Sequence, residues 1–207
     1  MSPCFIINAR NERVVLIVQV LKDELRHKIL LESEHLFLQR GYDRTSLQMI
    51  ADKVNISKSN LYHYFKNKEE LFYELTDSAA DGLKRMILRF RSMRFDLNMD
   101  AQEFRMLLTE EVLSLLLAEK YGLLLIMERA TGTRDERRRR VRSVLIASTI
   151  VPMLADEENR PMMAQIMARN LVDGTVHILK NRVRPSEVRA GLNQLITYHT
   201  QGMHALQ

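Results

Sequence analysis

The stretch that decides the fold is TSLQMIADKVNISKSNLYHYFKNK, residues 45–68. Its first half carries apolar residues at helical spacing: Leu47, Ile50, Ala51 and Val54. This spacing predicts a short helix with one buried face. Asn55 follows, and asparagine tolerates a left-handed backbone better than most residues with a side chain. A second short helix begins after Ser57, so the stretch predicts two helices joined by a tight corner, a helix-turn-helix.

Capping residues support these helix boundaries. Thr45 and Gln48 have the spacing of a capping box, in which two side chains satisfy free amides at a helix start. Ser57 is placed to cap the second helix, and Asn67 to cap the helix that follows. Each helix of the motif therefore has a predicted start of its own.

The outward side chains of the stretch are suited to a nucleic acid. Between residues 53 and 68 there are four lysines and no acidic residue. Short or flexible donors in the first turn of the second helix suit base edges in the major groove, and the tyrosine and lysine tips suit phosphates. Packing of the tyrosines into a small core is the alternative. The predicted DNA-contacting residues are Thr45, Ser46, Ser57, Lys58, Ser59, Asn60, Tyr62, His63, Tyr64, Lys66 and Lys68.

From about Leu25 to Leu75, roughly a quarter of the chain, the sequence resembles the DNA-binding domain of the TetR family of transcriptional regulators. The residues that carry the resemblance are Ile29, Leu30, Leu36, Phe37, Gly41, Tyr42, Thr45, Ser46, Ile50, Ala51, Ile56, Ser57, Lys58, Leu61, Tyr62, Tyr64, Phe65, Lys68, Glu69 and Leu71. The chain departs from the family at two positions where glycine is common, Asn55 in the turn and Ser59 in the second helix. Asn55 preserves the bend, and Ser59 offers an additional base contact.

The resemblance implies an all-α fold of roughly nine helices, with an N-terminal three-helix helix-turn-helix DNA-binding domain and a larger C-terminal helical ligand-binding and dimerisation domain. We place an arm at residues 1–22, the DNA-binding domain at 23–70 and the effector-binding and dimerisation domain at 71–207. The resemblance also implies a dimeric, sequence-specific regulator that reads a pseudo-palindromic operator. Such a regulator is most often a repressor that a small-molecule effector releases.

The amino-terminal region is the hardest to interpret. Its β-branched run from Val14 to Val20 predicts either a short strand or a backward extension of the next helix. Helix 1 is predicted from Asp23 to Arg40, and Gly41 ends it, because a left-handed turn costs glycine least. Tyr42 is predicted to pack against this helix.

Beyond residue 68 the pattern is helical throughout, without strand-like alternation. A long helix from Lys68 to about Met93 would span a little under ~40 Å and join the DNA contact to the second domain. Methionine-rich, apolar helices follow, and these suit an adaptable hydrophobic effector, although a filled core uses the same residue types. Glu128 is a candidate either to orient a cationic ligand or to cap a loop. The candidate pocket residues are Phe90, Phe104, Leu108, Leu124, Met127, Glu128 and Val144.

The last two predicted helices are amphipathic, and a two-fold pair of each would form a four-helix bundle between two copies. Gly174 would let another helix approach closely. A purely intrachain core is the alternative. The predicted interface residues are Met163, Ile166, Met167, Leu171, Gly174, Ile178, Leu192, Leu195, Ile196, His199 and Met203.

Composition and motifs argue against other classes. The chain has 207 residues, 46% of them hydrophobic, and a formal net charge of +5, which favours a globular protein with a mild preference for polyanions. Its single cysteine, Cys4, cannot form an intrachain disulfide, and no apolar run reaches the length of a membrane span. We therefore expect a soluble, cytoplasmic protein.

No catalytic or metal-binding spacing is present, so neither an enzyme nor a cofactor is expected. The alternatives to the regulator are a helical adaptor of the same fold that no longer binds DNA and an enzyme on a helical scaffold.

Overall fold

The computed structural model describes residues 9–93, 101–131, 133, 160–182 and 184–205. All regular elements in these ranges are helical, which confirms the predicted all-α class. The elements are α1 (Ala9–Arg40), α2 (Leu47–Val54), α3 (Lys58–Tyr62), α4 (Lys68–Met93), α5 (Ala101–Ala118), α6 (Lys120–Leu124), a π-helical turn (Leu125–Arg129), α7 (Arg160–Asn181) and α8 (Pro185–Ala205). None of the described helices combines the length and apolarity needed to cross a bilayer.

The first hydrophobic core lies between α1, α2, α3 and the start of α4. Three rings form its centre, with the Tyr42 ring 5.7 Å from Phe37 and 5.2 Å from Phe72, centroid to centroid. Leu61 and Phe65 are buried beneath the second helix of the motif, as the apolar spacing predicted. The three-helix unit is therefore packed around aromatic side chains, with Tyr42 in the predicted position against α1.

Helix α1 is longer than the predicted 23–40, because it begins at Ala9 and continues unbroken to Arg40. Of the two interpretations of the β-branched run, the helical extension is the one observed. The helix ends at Gly41, which has a φ of +87° and donates its N–H to the Phe37 carbonyl at 2.9 Å. Val20 and Leu21 stand exposed near the amino-terminal end of the described side chains.

The second core lies between α4, α5, α6, α7 and α8. Helix α4 runs from Lys68 to Met93, the predicted bounds, and contributes Ala79, Leu83 and Ile87 to this core. Gly122 allows α6 to approach α4 closely, since a Cβ there would lie 2.7 Å from the Ala79 Cβ. The long helix thus belongs to both cores and connects them.

Gly174 corrects part of the predicted dimer interface. A Cβ at Gly174 would lie 2.9 Å from Leu195 Cδ1 of the same chain. The helix that approaches this glycine is therefore α8 of its own chain. Other predicted interface residues also face the interior of their own chain. Met167 and His199 are buried, and Ile178 packs against the second core. An apolar cavity is lined by four more: Leu171, Leu192, Leu195 and Ile196.

His199 is 5% exposed, and its Nδ1 lies 2.8 Å from the Leu195 carbonyl oxygen. A carbonyl oxygen only accepts, so Nδ1 carries the proton. Of the remaining predicted interface residues, Ile166 is 45% exposed, Met163 is half-buried, and the Met203 side chain lies outside the described residues.

The π-helical turn links the two cores. Leu125 and Ala130 belong to the first core, whereas Leu124 and Ile126 belong to the second. The Tyr42 N–H donates to the Arg129 carbonyl at 3.1 Å, so the backbone after α1 is bonded to the end of the turn. Single π-helical turns widen a helix locally and are frequent at functional sites.

Candidate functional site

The corner of the helix-turn-helix is built from local chemistry. Asn55 has φ 64° and ψ 47°, the left-handed conformation predicted for it, and it follows the last turn of α2. Ser46 caps α2, because its hydroxyl accepts the Met49 N–H at 3.2 Å. The predicted capping box of Thr45 and Gln48 is therefore wrong. The capping residue is Ser46, one position later than Thr45, and the Gln48 side-chain amide donates to Asp52 at 2.7 Å.

Thr45 is also removed from the predicted DNA contacts. Thr45 is 1% exposed, and its hydroxyl donates to the Gly41 carbonyl oxygen at 2.8 Å. The same hydroxyl lies 3.3 Å from the Leu36 carbonyl oxygen. A buried hydroxyl with backbone partners cannot reach a duplex outside the domain. Thr45 therefore stabilises the loop between α1 and α2. Ser46 is exposed and remains a predicted DNA contact.

Helix α3 presents the predicted reading surface. Ser57 caps it by accepting the Asn60 N–H at 3.1 Å, and Leu61 anchors its inner face. Lys58 and Ser59 are exposed, and no hydrogen bond of the Asn60 side chain is found within the described residues. A short helix held by a cap and a core leucine thus carries free polar donors outward.

The aromatic residues after these donors differ in exposure. Tyr62 is 47% exposed, and the Lys58 ammonium lies 5.9 Å from its ring centroid, so the two side chains share one surface. His63 is exposed at the end of α3. Tyr64 is half-buried against the first core. The alternative of core packing therefore applies to Tyr64 and not to Tyr62.

Lys68 does not have the predicted exposed position. Its Nζ donates to the Tyr42 carbonyl at 2.7 Å and to the Thr45 carbonyl at 2.8 Å, and it lies 4.0 Å from the Tyr42 ring centroid. Burial lowers the pKa of Lys68, and the nearby Asp43 carboxylate opposes that shift. The ammonium is hydrogen-bonded to the backbone of the loop between α1 and α2. We therefore assign Lys68 a role in stabilising this loop and not a phosphate contact.

Further cations are exposed elsewhere in the same three-helix unit. Lys66 is exposed just before α4, whose predicted cap is observed, since the Asn67 side chain accepts the Glu70 N–H at 2.8 Å. Arg44 and Lys53 are also exposed, on the loop before α2 and on its last turn. Neither was among the predicted contacts, although Lys53 is one of the four lysines between residues 53 and 68 and Arg44 lies shortly before that stretch. Both are candidate phosphate contacts.

An apolar cavity of about 130 Å³ lies in the second domain. Two predicted pocket residues, Leu108 and Met127, are in its wall. Leu124 is buried in the core beside it, and Glu128 lies outside it, paired with Lys180 at 2.9 Å. Val144 and the side chains of Phe90 and Phe104 lie outside the described residues.

The wall residues that the predictions missed come from α4, α5, α7 and α8. Helical spacing marks these residues as inward-facing but does not distinguish a cavity wall from a filled core. The additional described wall residues are Leu83, Met86, Ile87, Val112, Leu115, Leu116, Leu123, Leu171, Val172, Thr175, Leu192, Leu195 and Ile196. No group of acidic, histidine and cysteine residues that could hold a metal occurs in the described part of the chain.

Residues 29–75 match the family model described as bacterial regulatory proteins, tetR family. This range contains the whole of α2, α3 and the corner between them. Residues 29–75 form a TetR-family amino-terminal domain. The resemblance stated from the sequence is confirmed over these residues.

The curated relatives match only about a third of this chain. The chain is 34% identical over 65 residues to the negative regulator IcaR of the biofilm operon in Staphylococcus epidermidis, covering 31% of this chain and 35% of IcaR. It is 34% identical over 62 residues to the transcriptional activator FasR of Mycolicibacterium smegmatis, covering 30% of this chain and 28% of FasR. The matched part thus spans about a third of these relatives.

Solved structures extend the likeness to the rest of the fold. NalD, the secondary repressor of the MexAB-OprM multidrug efflux pump in Pseudomonas aeruginosa, superposes with a TM-score of 0.58 at 23% identity, over 87% of this chain and 96% of NalD. The ketosteroid transcriptional regulator KstR2 of Mycobacterium tuberculosis gives 0.56 at 19% identity, over 86% and 93%. At such identities the likeness concerns the fold, a TetR-family domain followed by a helical domain.

Proposed function

We propose that this chain is a sequence-specific DNA-binding transcriptional regulator. The observation that carries the proposal is helix α3, where exposed Lys58 and Ser59 and half-buried Asn60 stand on a helix fixed by the Ser57 cap and by buried Leu61. In a helix-turn-helix the first residues of the second helix meet base edges in the major groove. Exposed Arg44, Lys53 and Lys66 of the same domain are candidates for contacts with the phosphate strands that border that groove.

Repression is the more favoured direction of control. IcaR and NalD are described as a negative regulator and a repressor, whereas FasR is described as an activator. A regulator of this form represses while its dimer covers a promoter. Repression ends when an effector releases the dimer from the DNA. We therefore propose a repressor, with the position of the operator relative to the promoter as the deciding property.

Base contacts and phosphate contacts should separate in two single variants. Asn60→Ala removes a base-edge donor, so we expect a loss of about 1–3 kcal/mol at particular base pairs and little change on random DNA. Lys66→Ala removes a phosphate contact, so binding to all sequences should weaken. The slope of the logarithm of the binding constant against the logarithm of the salt concentration should fall in magnitude by about one. The measurement is fluorescence anisotropy across salt concentrations, with an operator selected from random DNA and a scrambled copy.

Gln48→Ala is the control for these variants, because its side chain is exposed on α2 and bonded to Asp52. Equal losses on both DNAs for Asn60→Ala and Lys66→Ala would argue that α3 does not read bases.

We also propose that two copies pair through the outer face of α7 and α8. The contact of Gly174 with Leu195, and that of Gly191 with Ile178, indicate that the two helices run antiparallel. Met162 and Ile166 near the start of α7 therefore lie at the same end as Tyr198 of α8. These three side chains are 55%, 45% and 70% exposed, a concentration of apolar surface typical of an interface.

Ile166→Arg should break this pairing. A charge placed in the apolar patch must lose its hydration on association, so we expect the dimer dissociation constant to rise about 30-fold or more. Leu88→Arg is the matched control, because Leu88 is 53% exposed on α4, a helix outside the proposed interface. Sedimentation velocity over a concentration series measures both variants, and an Ile166→Arg chain that dimerises as tightly as the Leu88→Arg chain would contradict the proposed interface.

An effector in the apolar cavity would act on the DNA-binding domain through the π-helical turn. Met127 of that turn is in the cavity wall, and two residues later the Arg129 carbonyl accepts the Tyr42 N–H. Lys68 in turn holds the carbonyls of Tyr42 and Thr45, immediately before α2. An effector lowers the affinity for DNA only if it binds the released state better than the DNA-bound state.

A further inference from the structure

The cavity in the second domain has a size and a wall that restrict what it can bind. Its volume is about 130 Å³, and an apolar cavity of ~150 Å³ in a protein core stays free of water and binds benzene. None of the described wall residues is charged. An ion entering this wall would lose its hydration without a partner, which costs far more than the apolar contacts return.

One residue of the described wall, Thr175, carries a hydroxyl. Threonines elsewhere in these helices donate to the carbonyl four residues earlier, as Thr76, Thr109 and Thr200 do at 2.8, 2.9 and 3.0 Å. The Thr175 hydroxyl makes no hydrogen bond with any residue that the structure describes. Thr175 is only partly buried, and its hydroxyl is not bonded to any other group in the described part of the chain, so it is available to a guest.

We propose that the cavity binds a neutral, largely apolar molecule of about the size of one benzene ring, bearing a single hydroxyl or carbonyl group that hydrogen-bonds to Thr175. The proposal deepens the proposed function, because the guest would be the effector. Carboxylates and amines should bind more weakly, since the described wall offers neither a counter-charge nor a second polar group. A multi-ring compound would have to extend beyond the volume of about 130 Å³.

Toluene and phenol test the role of Thr175, because they match in shape and differ in one hydroxyl. Isothermal titration calorimetry on the full chain should show binding of both. Thr175→Val keeps the side-chain shape and removes the hydroxyl, so the ratio of phenol affinity to toluene affinity should fall by about threefold to tenfold, the value of one hydrogen bond. Toluene affinity itself should stay unchanged. A ratio that is the same in both chains would overturn the role of Thr175.

Two further experiments test where the ligand binds and whether a charged ligand is accepted. Val112→Phe places a ring in the cavity and should abolish toluene binding, whereas Leu117→Phe, at an exposed position of the same helix, should leave it intact. Benzoate should bind at least tenfold more weakly than phenol. Absence of toluene binding, equal binding by the two phenylalanine variants, or benzoate binding as tight as phenol would each refute the proposed ligand class.

The same probes separate this inference from the proposed function. Toluene or phenol that binds through Thr175 without weakening operator binding would preserve the cavity as a site and reject it as the effector site. Loss of operator recognition in the Asn60→Ala test has no bearing on the phenol-to-toluene ratio. The two proposals therefore fail on different measurements.

Discussion

Lys68→Met is expected to lower the free energy of unfolding by about 3 kcal/mol. The Lys68 ammonium makes two charged hydrogen bonds, to the carbonyls of Tyr42 and Thr45, at 2.7 and 2.8 Å. Each such bond contributes about 1.5–3 kcal/mol, and its loss also leaves a carbonyl without this partner. Methionine keeps the aliphatic length of the side chain, so the variant isolates the ammonium from its packing.

Lys66→Met is the matched control, because it removes a lysine two residues earlier whose side chain is exposed. Urea denaturation followed by circular dichroism should give a change within about 0.5 kcal/mol for this variant. Its effect should appear in DNA binding instead, as a uniform loss on all sequences. Equal stability of the Lys66→Met and Lys68→Met chains would show that the Lys68 bonds do not hold the loop.

Gly122→Leu is the second change for which we expect a large loss, again about 3 kcal/mol. A Cβ at Gly122 would lie 2.7 Å from the Ala79 Cβ and 3.1 Å from the Leu75 carbonyl oxygen. Neither atom is the end of a flexible side chain, so α6 must move away from α4 to accept a side chain at Gly122. Because α6 continues into the π-helical turn, this movement should also disturb the bond between Tyr42 and Arg129.

Gly191 provides the comparison for that variant. A Cβ at Gly191 would meet only the flexible Ile178 side chain, at 3.3 Å. Gly191→Ala should therefore be nearly neutral or slightly stabilising, since alanine favours a helix by about 1 kcal/mol over glycine, whereas Gly122→Ala should be destabilising. Thermal unfolding of the two alanine variants and of Gly122→Leu measures the difference. Matching melting temperatures for the two alanine variants would contradict the close approach of α4 and α6.

The parts of the fold that local chemistry determines could be predicted from the sequence. Asn55 adopts the left-handed turn, Gly41 ends α1, and Ser57 and Asn67 cap the helices that follow them. Each of these assignments depends on neighbours within four residues. The start of α1 was missed because a run of β-branched residues suits a strand or a helix.

Features that depend on distant residues could not be predicted. The carbonyls that bind Lys68 lie 26 and 23 residues earlier in the chain, so only the folded structure distinguishes this lysine from exposed Lys66. The apolar stripes of α7 and α8 had the same ambiguity. Periodicity shows that a face such as that of Leu192 and Leu195 is buried, but the partner that buries it is a property of the tertiary structure.

The affinity of the full chain for its selected operator, relative to a scrambled duplex, across a salt titration, tests the central claim most directly. That claim is that the exposed donors of α3 read bases while the surrounding cations hold phosphates. We expect the operator to bind at least ~10³-fold more tightly than the scrambled duplex, with a steep fall in both affinities as salt rises. Equal affinity for the two duplexes at every salt concentration would contradict the account.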